Sequence, residues 1–208
     1  MSNQLVKFNV IKENGEKIEY EENDETKFNK LFSCDSEFKD VEEIEFITLI
    51  CKNVPKFINH SNIKKVTFCD IEWAEEISEL FYNCPSLIEV HFDGSSDVNN
   101  IHDLIKDCIN LKIVTFDDCM ALKAMKNVFI NCPQLEAVWF NWMPYLTEVQ
   151  DIFTECDRLQ FVEIYESNSE SWQVIVNHVI KLHSSTYYRV HDDRNDYPKY
   201  IMCIEQGQ

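Results

Sequence analysis

Four cysteines stand at equal intervals, Cys84, Cys108, Cys132 and Cys156, each 24 residues after the last. Thiols bind zinc, form disulfides or act as nucleophiles, and each use demands a different placement. Zinc needs ligands converging tetrahedrally on one point. Residues one repeat apart in a stacked fold form a line instead, with about 5 Å per step. That spacing nominally permits a disulfide between coils, although disulfide geometry demands more than proximity. The expected role is packing: a small, apolar, buried side chain.

The other reactive residue types form no recognisable set. His60 occupies the cysteine position one interval upstream and is expected in the core or at its edge. His178 and His183 lie five apart with no Glu partner between them, so the zinc-protease helix pattern is absent. Asp192, Asp193 and Asp196 make an acidic loop without the calcium-hand spacing. There is no Gly-x-Ser-x-Gly elbow and no kinase motif set. The only glycines are Gly15, Gly94 and Gly207, too few for a phosphate-cradling loop. Nothing in the sequence pairs a nucleophile with a base. No catalysis, metal or cofactor is expected.

The elements that carry the thiols repeat with them. Three residues after each cysteine come Leu87, Leu111, Leu135 and Leu159; six after come Val90, Val114, Val138 and Val162. Eight after come Phe92, Phe116, Phe140 and Ile164. A fifth copy runs through Phe57, His60, Ile63, Val66 and Phe68, and a degenerate sixth, displaced by two residues, through Phe38, Val41, Ile44 and Phe46. Before each cysteine the apolar residues fall at i, i+3, i+4 and i+7, as in Ile77, Leu80, Phe81 and Cys84, the signature of a helix of about two turns. Asn59, Asn83, Asp107, Asn131 and Glu155 precede the cysteine position, and Asn and Asp tolerate the left-handed conformation that ends helices. Val-x-Phe then alternates as a short strand does.

Phe-x-x-Cys-x-x-Leu-x-x-Val-x-Phe resembles the BspA-like class of leucine-rich repeats, over about residues 55 to 166. The resemblance implies a non-catalytic binding surface. The fold expected is α/β: a leucine-rich-repeat solenoid of about five 24-residue helix-turn-strand coils. Residues 1–54 are assigned to an N-terminal hairpin cap and degenerate first repeat, 55–166 to the solenoid, and 167–208 to an α/β C-terminal cap. The hairpin is read from alternation over residues 4 to 21 around Asn14-Gly15. The C-terminal cap is read from helical spacing over Ser171 to Leu182 and two strands, Tyr187 to Val190 and Tyr200 to Ile204. A small separate module is the alternative for that segment.

With Val and Phe inward, the residues between them face out. The outward rows are Lys65, Glu89, Ile113, Ala137, Phe161; Thr67, His91, Thr115, Trp139, Glu163; and Cys69, Asp93, Asp117, Asn141, Tyr165. Asp118 and Trp142 flank them. The early repeats contribute acid and the late ones aromatics, which is the composition of an interaction hot spot ringed by charge. The alternative is that the C-terminal segment buries the aromatics as core.

Acidic residues number 37 and basic residues 19, so the formal charge is 19 − 37 = −18. That excludes direct phosphate binding and favours a protein partner with a basic surface. A second hypothesis uses the same charge to mimic nucleic acid in the basic groove of an enzyme such as a defence nuclease. Residues 1–25 are polar, without a signal-peptide core, and no apolar run reaches membrane-span length. The expected location is cytoplasmic, with reduced thiols and no membrane contact.

Overall fold

The Val-x-Phe segments form the strands expected of them. The computed structural model describes residues 5–22, 40–166, 175, 187–192 and 200–202. In it, Lys65–Cys69, Glu89–Asp93, Ile113–Asp117, Ala137–Asn141 and Phe161–Glu166 pair in parallel, each residue beside its counterpart 24 positions on. Val41–Ile50 precedes them with Ile44 opposite Val66 and Phe46 opposite Phe68, the two-residue displacement of the degenerate copy. Phe38 of that copy lies outside the described residues.

The helix before each cysteine does not form. The apolar i, i+3, i+4, i+7 pattern instead belongs to two short strands separated by a corner, and the chain is a β-solenoid of about five stacked coils. Glu76–Ser78, Asn100–His102, Ala124–Lys126 and Glu148–Gln150 build a four-stranded parallel ladder. Phe57–Ile58, Phe81–Tyr82, Ile105–Lys106, Phe129–Ile130 and Phe153–Thr154 build a five-stranded one. Glu79, Asp103, Asn127 and Asp151 lie between the two with φ of 48° to 52°. A left-handed residue resets the in–out alternation, so Leu80 and Phe81 both point inward although they are adjacent. Corner resets and a helical turn therefore produce the same apolar spacing.

The coils after the first one turn at up to three such corners. The residues before the cysteine position, Asn59, Asn83, Asp107, Asn131 and Glu155, have φ of 52° to 58°. Asp70, Gly94, Asp118 and Trp142 turn the end of the broad-sheet strand with φ of 49° to 73°. Asn and Asp reach this conformation most readily after Gly, and among the described residues nine of the thirteen non-glycine positions with positive φ are Asn or Asp. They also bond up the stack: Asn83 Nδ2 donates to Asn59 Oδ1 (2.6 Å), Asn131 to Asp107 (2.7 Å) and Asn127 to Asp103 (3.2 Å).

The core is a set of columns. Phe46, Phe68, Phe92, Phe116 and Phe140 stack face to face with centroid spacings of 5.0, 5.1, 5.0 and 5.5 Å. The cysteine column is buried as expected, and the described cysteines are all free thiols. Each thiol of the column donates to the carbonyl two residues earlier, as Cys132 Sγ does to Ile130 O at 3.6 Å, adding a second donor to a carbonyl that already accepts a backbone N–H from the preceding coil. His60 is buried too, its Nδ1 accepting from Ile63 N at 3.3 Å.

The N-terminal hairpin pairs Leu5–Lys12 with Lys17–Glu22, and the first of these strands runs antiparallel to Val41–Ile50. Val6, Phe8 and Val10 close the core at that end. At the other end Tyr187–Asp192 pairs parallel with Phe161–Glu166, and Tyr200–Met202 antiparallel with it, so both strands extend the broad sheet. Of the helix expected over 171–182, only Ile175 is described; it is helical and buried.

Candidate functional site

The outward rows lie where the alternation places them, because a parallel stack in register repeats one orientation in every coil. Trp139, Phe161, Ile113, Glu89, His91, Asp117 and Glu163 are half-buried, and Asp93, Asp118 and Tyr165 are exposed. None of the four aromatics belongs to the core. Trp139 and Phe161 meet at 5.7 Å between ring centroids, and Trp142 and Tyr165 at 5.9 Å. Two aromatic pairs therefore sit side by side at the C-terminal end of the face. The indole of Trp139 donates to Glu163 Oε2 at 2.9 Å, which fixes its ring. Trp142 holds a corner with φ 55°, a conformation unusual for so bulky a residue.

The acidic half is equally ordered. Asp93, Asp117 and Asp118 gather with Asp70 where the broad-sheet strands end. Partial burial, then the charges of Asp117, Asp118 and Asp70, raise the Asp93 carboxyl above its ordinary range. Asn141 Nδ2 donates to Asp117 Oδ1 and so joins this cluster to the aromatic half. Among the described residues no group of His, Cys, Asp or Glu could hold a metal ion.

One arrangement was not visible in the sequence. His91 Nδ1 lies 2.9 Å from Thr115 Oγ1, and His91 Nε2 lies 3.2 Å from Glu89 Oε2, which also meets Lys65 Nζ at 3.3 Å. The structure thus does pair a hydroxyl with a base and an acid, contrary to the sequence reading. Catalysis by such a set also needs donors for a developing oxyanion. The neighbouring backbone amides serve the sheet ladder on both sides. The three side chains form a cross-strand hydrogen-bonded row. Only the 24-residue register places them together, and the signal was the offset between His91 and Thr115.

Among the described cysteines the shifts run both ways: contact with the Cys108 thiol, working against burial, lowers Cys84. Burial raises Cys119 and Cys156 to about 12, and raises Cys132 as well. Contact with the Cys84 thiol, and then burial, raises Cys108. Cys69, on the outer face, is raised to about 11 by burial and by Asp93, Glu45 and Asp70.

Two hollows lie away from this face, on the four-stranded ladder. One of about 810 Å³ is lined by His102, Asp103, Lys126, Asn127, Glu148 and their neighbours. Its histidine bridges Glu76 Oε1 and Asp103 Oδ2, both at 3.0 Å. Another of about 490 Å³ lies at the start of the same ladder. The sequence reading missed both hollows, having placed a helix there. It also passed over Met120 and Tyr145, exposed on segments that follow the corners at Asp118 and Trp142. A scan against protein-family models and searches of curated proteins and of solved structures find no match to the chain.

Proposed function

We propose that the chain is a non-catalytic, protein-binding scaffold of the BspA-like leucine-rich-repeat kind, acting in the cytoplasm through the outer face of its broad sheet. The observation that carries this reading is the pair of aromatic contacts, Trp139–Phe161 and Trp142–Tyr165, held half-exposed beside a carboxylate cluster. Large aromatics with restricted rotamers lose little entropy on binding and make effective anchors. The charge of −18 steers a partner with a basic rim onto them.

The test is affinity capture from the native cell with the wild-type chain and with the Trp139→Ala/Phe161→Ala variant. The partner retained by the wild type is expected to bind the variant more weakly by several kcal/mol. Equal retention would place the interface elsewhere.

A second reading, nucleic-acid mimicry in the basic groove of an enzyme, draws on the mutual crowding of Asp70, Asp93, Asp117 and Asp118. Salt separates the two readings. A mimic loses affinity steeply between low and physiological ionic strength, whereas aromatic anchoring changes little.

A further inference from the structure

The strand pairings locate a two-residue deficit in the first coil. Ile50 lies opposite Glu72, an offset of 22, whereas Phe57 lies opposite Phe81, an offset of 24. Residues 51–56, six in number, therefore span what residues 73–80, eight in number, cover in the next coil. The deficit falls opposite Glu76–Ser78, the first strand of the four-stranded ladder. It contains Pro55, which has no N–H to give a ladder. Backbone bonds to the next coil flank the segment, Cys51 N to Glu72 O (3.2 Å) before it and Phe57 N to Leu80 O (2.6 Å) at its end. No strand is formed between. The four-stranded ladder starts one rung later than the five-stranded one.

Register determines which backbone groups face the gap. Asn100 N donates to Glu75 O, and Ile77 lies opposite Ile101, so Ile77 spends its N–H and C=O on the following coil. The N–H and C=O of Glu76 and Ser78 point the other way. The gap holds about 490 Å³ between Lys52, Val54 and Lys56 on one side and Trp73, Glu76 and Ser78 on the other.

The rim points to a ligand. Trp73 stands 37% exposed with φ 68°, a left-handed conformation its bulk disfavours, and its backbone N–H donates to Asp97 Oδ2 at 2.8 Å. Glu75 and Glu76 line the site with Lys52 and Lys56, and Lys56 already pairs with Glu79 at 2.8 Å. The balance is acidic.

We propose that this gap is a strand-docking site, in which an extended basic segment of a partner protein adds in parallel as the missing first rung of the four-stranded ladder. Its central residue, opposite Ile77, donates its N–H to Glu76 O and accepts from Ser78 N–H, the geometry of β-strand addition. Trp73 flanks the added strand. The site is separate from the broad-sheet face and does not depend on it.

The probe is the blocked peptide acetyl-Lys-Thr-Val-Thr-Lys-amide, titrated into the full chain and followed by backbone amide NMR. Saturable shifts and slowed hydrogen exchange are expected at Glu76 and Ser78. N-methylation of the central Val, or Trp73→Ala, should each weaken binding about tenfold or more. Inserting Ser-Thr after Asn53 restores a 24-residue coil and should abolish binding while the circular dichroism spectrum is retained. Four results would overturn the proposal: shifts confined to the broad sheet, equal binding of the N-methylated peptide, no saturation by about 10 mM peptide, or Glu76 and Ser78 amides already protected in the free chain.

Discussion

The indole N–H of Trp139 donates to Oε2 of Glu163, its neighbour one coil further on, at 2.9 Å. The bond joins an aromatic anchor to an acidic residue of the same face. A half-buried hydrogen bond to a charged acceptor contributes about 1 to 2 kcal/mol. Glu163→Ala should lower the unfolding free energy by about that amount, while Glu163→Gln, which keeps an acceptor oxygen, should lose less. Urea titration measures both. Equal losses in the two variants would show that the acceptor is not what matters.

Trp142 is expected to trade stability for surface. Its corner position is held by Asp70, Gly94 and Asp118 in the earlier coils, residue types suited to positive φ. Trp142→Asn should therefore raise the thermal midpoint while weakening partner capture, since strain of order 1 kcal/mol is relieved and the contact with Tyr165 is lost. A lower midpoint would mean that packing outweighs the backbone strain.

The buried column should be slow to alkylate. Cys84, Cys108, Cys119, Cys132 and Cys156 are buried, which keeps alkylating reagents from reaching them in the folded chain. In native protein at about pH 8, iodoacetamide should label Cys69 well before these five, as read by peptide mass spectrometry; in urea the difference should vanish. Rapid native labelling of the buried column would contradict the stacked arrangement.

Two histidines should give opposite pH slopes. Hydrogen bonds donated to the Glu76 and Asp103 carboxylates raise His102 above 6.5. Its stabilisation is complete below 6.5 and is lost as pH rises through the raised folded value. His102→Gln should therefore destabilise the chain more at about pH 5.5 than at about pH 8.5. Burial lowers His60 below 6.5, so its stabilisation holds above 6.5 and is lost as pH falls through the lowered value. His60→Cys, the residue the other coils use, should remove that acid sensitivity. Unfolding free energies measured across pH for both variants test the signs.

The repeat period, the inward Val and Phe columns and the outward rows were legible because a parallel stack in register makes spacing alone sufficient, and the hairpin because Asn14-Gly15 sits between alternating runs. The half-coil before each cysteine was not. Ile77, Leu80, Phe81 and Cys84 fit a helical face as well as they fit two strands joined by a left-handed corner. The resolving signal was the recurrence of Glu79, Asp103, Asn127 and Asp151 beside the already noted column at Asn83. Two conformational resets within five residues are incompatible with a helix. The Glu89–His91–Thr115 row and the gap beside Glu76 depend on which coil lies next to which, and on where one coil is two residues short. Both follow from cross-coil alignment, not from any local motif.

In the column from Phe46 to Phe140 the three inner rings, Phe68, Phe92 and Phe116, each have a phenylalanine stacked above and below. Length is then a free parameter of the molecule. Duplicating one 24-residue unit in the middle should lengthen the body by one strand spacing, about 4.8 Å. The two closures would remain as they are, and the distance between the acidic and aromatic ends would become an adjustable ruler.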